Sequence, residues 1–190
     1  MGKGILTIGL ITAILSAPAM ANTFNYGLGH ASIKTGGNNY SGLTYHLGAN
    51  FAIAEDLVAL VDYATGTLKK SSQTNIDYTN SYVGIKYAAY DINDIQLSLN
   101  LGGADVSAKQ GASEVTAAVN KSGMRYGVGF NIDMNETSTL AIDIERDNSA
   151  RITVTSMVMG FVVSENMNLN IRAGNTTDLT TYGLGLSHNF

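Results

Sequence analysis

The side chains of this sequence best suited to chemistry are three histidines, His30, His46 and His188, and six charged residues, Asp62, Lys86, Arg125, Asp143, Glu145 and Arg172. A histidine beside a hydroxyl can act as a base for a nucleophile, and two carboxylates flanking a water can share acid and base roles. His46 has Thr44 two residues away and Asp62 on the next extended segment, but no serine stands convincingly beside it. The chain has no cysteine, so thiol chemistry, disulfides and cysteine-based zinc or iron–sulfur sites are ruled out. Its His, Asp and Glu residues do not cluster at metal-ligand spacing. The expectation is a protein without catalytic site, metal or cofactor, in which charged residues hold structure or line a path.

The elements that carry these residues are extended. Over 190 residues only 14% are charged and 45% are hydrophobic, with 21 Gly and one Pro. That is room for one domain, and it lacks the low hydrophobicity and high charge of a disordered chain. The net charge of −4 argues against a nucleic-acid partner. Residues 1–21 read as a secretory signal peptide: Lys3, the apolar run Ile5–Leu15, and the small-x-small end Ala19-Met20-Ala21. The run is too short for a membrane helix. The mature protein is then 22–190.

From there the sequence alternates with period two. Leu43, Tyr45, Leu47, Ala49, Phe51 and Ile53 share one face, with Gly42, Thr44, His46, Gly48 and Asn50 on the other. Ile95 to Leu101 and Met124 to Ile132 repeat the pattern, and Tyr182, Leu184 and Leu186 close it. Such alternation marks strands with one apolar face. The polar face is small and mostly uncharged, and aromatics stand near the turns: Phe51, Tyr90, Phe130, Phe161 and Phe190. With a secretory signal, this suits a barrel whose apolar face meets hydrocarbon and whose polar face lines the interior. In segment 151–163 both faces are fairly apolar, and Phe161 assigns the odd-numbered set to the outside.

Four short acidic turns punctuate the pattern: 54–56, 91–94, 133–136 and 164–166. Five polar loops alternate with them: 35–39, 69–75, 106–120, 147–150 and 175–178. Together they predict ten strands, near 23–34, 40–53, 57–68, 76–90, 95–105, 121–132, 138–146, 151–163, 167–174 and 179–190. Eight is the alternative, but it needs 138–163 to be one strand across the natural turn Asp147-Asn148-Ser149-Ala150. An even count puts both termini on the turn side. The turns carry acids, whereas Lys34, Lys69, Lys70, Lys109, Lys121, Arg146 and Arg151 gather on the loop side as a basic rim. Such a rim attracts lipopolysaccharide phosphates, although scattered surface lysines are also simply solvated.

Parity points Asp62, Lys86, Arg125, Asp143, Glu145 and Arg172 inward, with Arg125 within diagonal reach of Asp143 and Glu145, and Asp62 on a strand beside Lys86. Inward Tyr40, Tyr82 and Gln96 help to fill the lumen. The six charges form either a neutralised plug or a selectivity belt, and the plug is preferred because confined charges need partners. Tyr-Gly-aliphatic-Gly recurs at 26–29, 126–129 and 182–185. No helix follows, so these are not phosphate loops; the inward glycines relieve crowding and permit curvature.

The whole pattern resembles the small single-chain Gram-negative outer-membrane β-barrels, the class with OmpX/Ail and the OmpA membrane domain and a porin-like barrel. The resemblance rests on the leader, the alternating strands with tight turns, and the last strand, Tyr182-Gly-Leu-Gly-Leu-Ser-His-Asn-Phe190. It implies that Tyr182, Leu184, Leu186 and Phe190 form the signal read by the barrel-assembly machinery, with His188 departing from the usual apolar residue. It also implies residence in the outer membrane, in contact with its lipid and lipopolysaccharide. The functional expectation is a structural or surface-interaction role in envelope integrity, without catalysis; the alternative is a narrow porin-like channel for ions or small polar solutes.

Overall fold

A computed structural model describes residues 22–70, 75–110, 113–114 and 122–190. The expected leader 1–21 and Lys121 lie outside the described residues. The strands are β1 (Asn22–Thr35), β2 (Asn38–Ala54), β3 (Leu57–Leu68), β4 (Ile76–Ile92), β5 (Ile95–Gln110), β6 (Ser113–Glu114), β7 (Ser122–Asn135), β8 (Ser138–Asp147), β9 (Ile152–Ser164), β10 (Met167–Asn175) and β11 (Leu179–Asn189). Each of the ten long strands pairs antiparallel with its neighbours, and β1 pairs with β11, so the sheet closes on itself. The two-residue β6 folds back on the end of β5 and stands outside the ring. The architecture is all-β, a closed ten-stranded antiparallel barrel. The turn after Asp147 separates β8 from β9 and decides against eight strands.

Local chemistry accounts for the tight connections. Between β1 and β2 a two-residue turn has Gly36 at φ 54° and Gly37 at φ 76°. Both central residues are left-handed, the combination that matches strand twist and that glycine adopts without strain. All four hairpins with acidic turns contain a register shift, at Ala52/Ala54, Ala88/Tyr90, Asp133/Asn135 and Met167/Asn168. Bulges at barrel rims bend the strand and re-aim side chains. The one in β4 matters for sidedness: strict alternation would put Lys86 and Tyr90 on the same face, and the extra residue sends Tyr90 outward.

The outer wall is apolar. Leu28, Leu43, Tyr87, Leu99, Met124 and Leu184 are all exposed there, as are Tyr90 and Phe190. A continuous exposed band of this kind is unsuited to water and matches hydrocarbon. Phe51 departs from the expectation for aromatics near the turns and is buried beside its cross-strand partner Ala59. In β9 the odd-numbered residues Thr153, Thr155 and Met157 face out, while Ile152, Val154, Ser156 and Val158 share the inward rows of Asp147, Glu145, Asp143 and Arg172.

The interior corrects the expectation of a uniformly polar lumen. Toward the loops, Ala31, Ile33, Tyr40, Leu68, Ile76, Tyr78, Val106, Ala108, Ile152 and Leu179 form one buried cluster, with Ile33, Leu68 and Ile76 at 0% exposure. The reason is geometric: long strands carry inward positions beyond the charged zone, and side chains there meet only one another, so they pack as an ordinary apolar core. The same packing extends β5 to Gln110, five residues past its predicted end, because Val106 and Ala108 fall on inward positions. The loop expected at 106–120 is shorter by that amount. Toward the turns the inward residues are polar, and Asn170 donates to Ser187, whose hydroxyl donates to Asn25 Oδ1 at 2.6 Å.

Candidate functional site

Between the apolar cluster and the polar turn end lies a cavity of about 270 Å³. Asp62, Lys86, Arg125, Asp143, Glu145 and Arg172 all line it, together with His46, Tyr78, Tyr82, Asn80 and Asn100. Lys86 Nζ lies 2.7 Å from Asp143 Oδ1, and Asn100 Nδ2 donates to the same oxygen at 2.7 Å. Arg125 Nε donates to Asp147 Oδ2 at 3.2 Å. Arg172 Nη1 lies 3.0 Å from His46 Nε2 and 3.8 Å from Asp62 Oδ1, and His46 Nε2 lies 3.0 Å from Asp62 Oδ1. Tyr82 Oη donates to Glu145 Oε1 at 3.3 Å.

The six residues share a cavity, but their partners differ from those that strand order suggested. Asp62 and Lys86 are on adjacent strands, yet Asp62 stands opposite Tyr82 and Lys86 opposite Val58. The two charges are four residues apart in register and turn to other partners. Arg125 stands directly opposite Asp147, with Glu145 one diagonal step away, and takes Asp147. The sequence pattern puts Asp147 in the loop 147–150; it is the last residue of β8 and 2% exposed. Its other oxygen accepts from Ser149 N, Ser149 Oγ and Ala150 N at 2.8–3.1 Å, so it also folds the turn. Extending the parity of Asp143 and Glu145 by one more step would have found it.

The glycine repeats explain how partners on distant strands meet. Asp143 on β8 reaches Lys86 on β4 and Asn100 on β5 across β7, whose inward residues there are Gly127 and Gly129. A methyl group at Gly129 would overlap Asp143 and stand 2.6 Å from Ser98 Oγ and 3.3 Å from Lys86 Nζ. Arg172 on β10 reaches His46 on β2 and Asp62 on β3 across β11 and β1, where Gly183 and Gly185 stand opposite Gly29 and Gly27. All three repeats therefore clear strands that would block an ion pair. The sequence pattern assigns them relief of crowding and curvature; the ring adds which ion pairs that clearance serves. Gly129→Val is expected to part Asp143 from Lys86 and to lower the urea midpoint of the micelle-held barrel, at a cost of about 1–3 kcal/mol for overpacking. Gly103→Ala should leave the midpoint unchanged, because a Cβ there meets nothing within 4 Å.

The remaining site expectations concern the rims. Lys34, Lys69, Lys70, Lys109, Arg146 and Arg151 stand at or beyond the loop ends of their strands. Lys70 donates to Asn38, and Lys69 pairs with Ser41 through the backbone. Along the last strand Tyr182, Leu184 and Phe190 are exposed on the outer wall, and at its turn end His188 stacks on Phe190 with ring centroids 6.4 Å apart. Phe190 N donates to Asn22 O at 3.0 Å.

No protein-family model matches the chain. No curated protein matches it. Solved structures do. The outer membrane protease OmpT from Escherichia coli aligns at TM-score 0.50 with 11% identity, over 92% of this chain and 98% of that one. The KdgM porin in complex with disordered oligogalacturonate aligns at 0.47 and 9%, over 90% and 99%. Neisserial surface protein A (NspA) aligns at 0.44 and 16%, over 90% and 100%. The chain has the fold of the small outer-membrane β-barrels. At these identities the likeness is one of fold, and the role must be argued from the barrel's own interior and walls.

Proposed function

We propose that this chain is a closed outer-membrane barrel with a structural or surface-interaction role, made as a secreted precursor and held in the outer membrane of a Gram-negative cell. The observation that carries this reading is the apolar cluster across the loop end of the lumen. Among the described residues this layer of side chains at 0–8% exposure narrows the loop end of the lumen, and apolar constrictions oppose ion passage by excluding water. Below it, paired charges act as a plug that ties β2, β3 and β10 together on one side and β4, β5 and β8 on the other, with Glu145 the one carboxylate outside the pairs. The barrel then offers its surroundings two surfaces: an apolar wall for lipid, and a basic loop rim for lipopolysaccharide phosphates. Biogenesis through the barrel-assembly machinery, reading Tyr182, Leu184, Leu186 and Phe190, belongs to the same reading. Catalysis does not belong to it, because Asp62 Oδ1 and Arg172 Nη1 both lie 3.0 Å from His46 Nε2, which occupies that ring nitrogen rather than aiming it at a nucleophile.

The second reading is a narrow channel for ions or small polar solutes. The charged cavity of about 270 Å³ favours it. Planar-bilayer recording of the purified protein separates the two. Current indistinguishable from leak is expected, whereas steady steps that change with Arg125→Ala or Asp143→Ala would establish the channel.

A further inference from the structure

One carboxylate and one amide in the lumen lack what their chemistry requires. Glu145 on β8 and Asn100 on β5 lie in one inward row, facing each other across β7 at Gly127. Gly127 has no side chain, so nothing from β7 stands between them. Both residues line the charged cavity. Asn100 is 4% exposed, and its Nδ2 donates to Asp143 Oδ1 at 2.7 Å. That bond fixes which way the amide points, since turning it would set oxygen against carboxylate. Its Oδ1 is then a buried acceptor with no donor among the described residues. Glu145 receives only the Tyr82 hydroxyl, at 3.3 Å, and belongs to none of the ion pairs. Tyr82 reaches it by lying across bare backbone: a Cβ on Gly84 would stand 2.6 Å from its Oη, and one on Gly102 2.6 Å from its Cζ. Around this spot Asp143, Glu145 and Asp147 bring three negative charges, whereas Lys86 and Arg125 bring two positive ones. The surplus is one negative charge.

We infer that a monovalent alkali cation binds between Glu145 and Asn100, held by the Glu145 carboxylate, Asn100 Oδ1 and the Tyr82 phenolic oxygen. The inference rests on the plug reading and deepens it by naming the charge that completes the plug. A buried acceptor without a donor is costly, and a confined carboxylate without a countercharge more so. Water satisfies the amide but leaves the charge. A cation answers both needs, because carboxylate and amide oxygens are the hard ligands that such ions take. Calcium would want about six to eight oxygens, with several carboxylates among them. The single carboxylate here matches a single positive charge. Asn80 Oδ1 is the contrast. It too is buried without a donor, but its row neighbours are Ala64 and Val106, so no charge demands an ion and water suffices.

Urea unfolding of the full barrel in uncharged micelles tests this, with sodium, potassium and N-methylglucamine chlorides compared at equal ionic strength. An ion that binds only the folded state adds stability as its concentration rises. The midpoint should climb by about 0.5 M urea for each tenfold increase in the preferred ion, sodium or potassium, as it replaces N-methylglucamine, which is too bulky for the site. Glu145→Gln and Asn100→Leu should each flatten that dependence. Glu165→Gln, which removes a charge from an exposed turn, should leave it intact. Midpoints indifferent to the cation would overturn the inference and leave the spot to water and a protonated Glu145. A dependence undiminished in Glu145→Gln or in Asn100→Leu would overturn it too, since the ion would then sit elsewhere. Failure of the plug reading shows differently, as steady planar-bilayer current that changes with Arg125→Ala or Asp143→Ala.

Discussion

Ile33→Ser combined with Ile76→Ser is expected to give a cation-preferring pore where the wild type, on the proposed reading, passes no current. Both side chains are fully buried in the apolar layer at the loop end, and they sit on β1 and β4, on different sides of the ring. Two hydroxyls in their place let water cross the layer, and water is the condition for ion passage. Below lie the ion pairs Lys86–Asp143, Arg125–Asp147 and Arg172–Asp62, and none of them takes in Glu145, whose contact is the Tyr82 hydroxyl. A wetted lumen therefore carries one carboxylate more than its bases balance. The reversal potential in a salt gradient should favour cations, and adding Glu145→Gln should abolish the preference. The ring itself should survive, because its strands are joined by backbone bonds all round. Unheated gel mobility checks that. A double variant that folds and stays silent would show that the apolar layer is not what closes the lumen.

The second large effect is on stability. Arg125→Met is expected to cost about 3–5 kcal/mol, because it leaves Asp147 buried and without its cation. Arg125 is 8% exposed and Asp147 2%, so solvent does little to screen the pair. Asp147 also anchors the turn through three donors, so its loss of balance disturbs β8, β9 and the connection between them. The double variant Arg125→Met with Asp147→Asn should regain much of the loss, since asparagine keeps an acceptor for the turn and carries no charge. Urea unfolding in micelles measures both. Equal midpoints for Arg125→Met and the wild type would show that Asp147 draws its stabilisation from the turn donors alone.

Strand positions and faces were legible from alternation, and the ten-strand count followed from Asp147-Asn148-Ser149-Ala150. Alternation also picks out Asp62, Lys86, Arg125, Asp143, Glu145 and Arg172 as one set, and the structure places all of them on a single cavity. Their partners were not legible. Lys86 meets Asp143 from a strand three places away in the ring, and Arg172 meets His46 across two strands. Such meetings depend on tilt and on which intervening positions are bare, neither of which adjacent-strand reasoning contains. The glycine repeats held that information, but only once the ring was closed could a missing side chain be seen as a gap between two charges. The apolar layer was hidden for a different reason. Ile33, Leu68, Ile76 and Val106 lie where strands were expected to give way to loops, so their parity was not followed to the end.

The seam has a temporal consequence. Thr23 lies 166 residues from Asn189, to which its hydroxyl donates, and eleven cross-strand residue pairs join β1 to β11. The ring therefore cannot close before β11 is in place. Until the final strand arrives, β1 and whichever strand was added last both present unpaired amides and carbonyls, the most adhesive edges a sheet can show. Contacts this remote in sequence also form slowly. A polypeptide of this design shows those edges until β11 docks, and a copy that lacks β11 is a hazard to every other copy nearby.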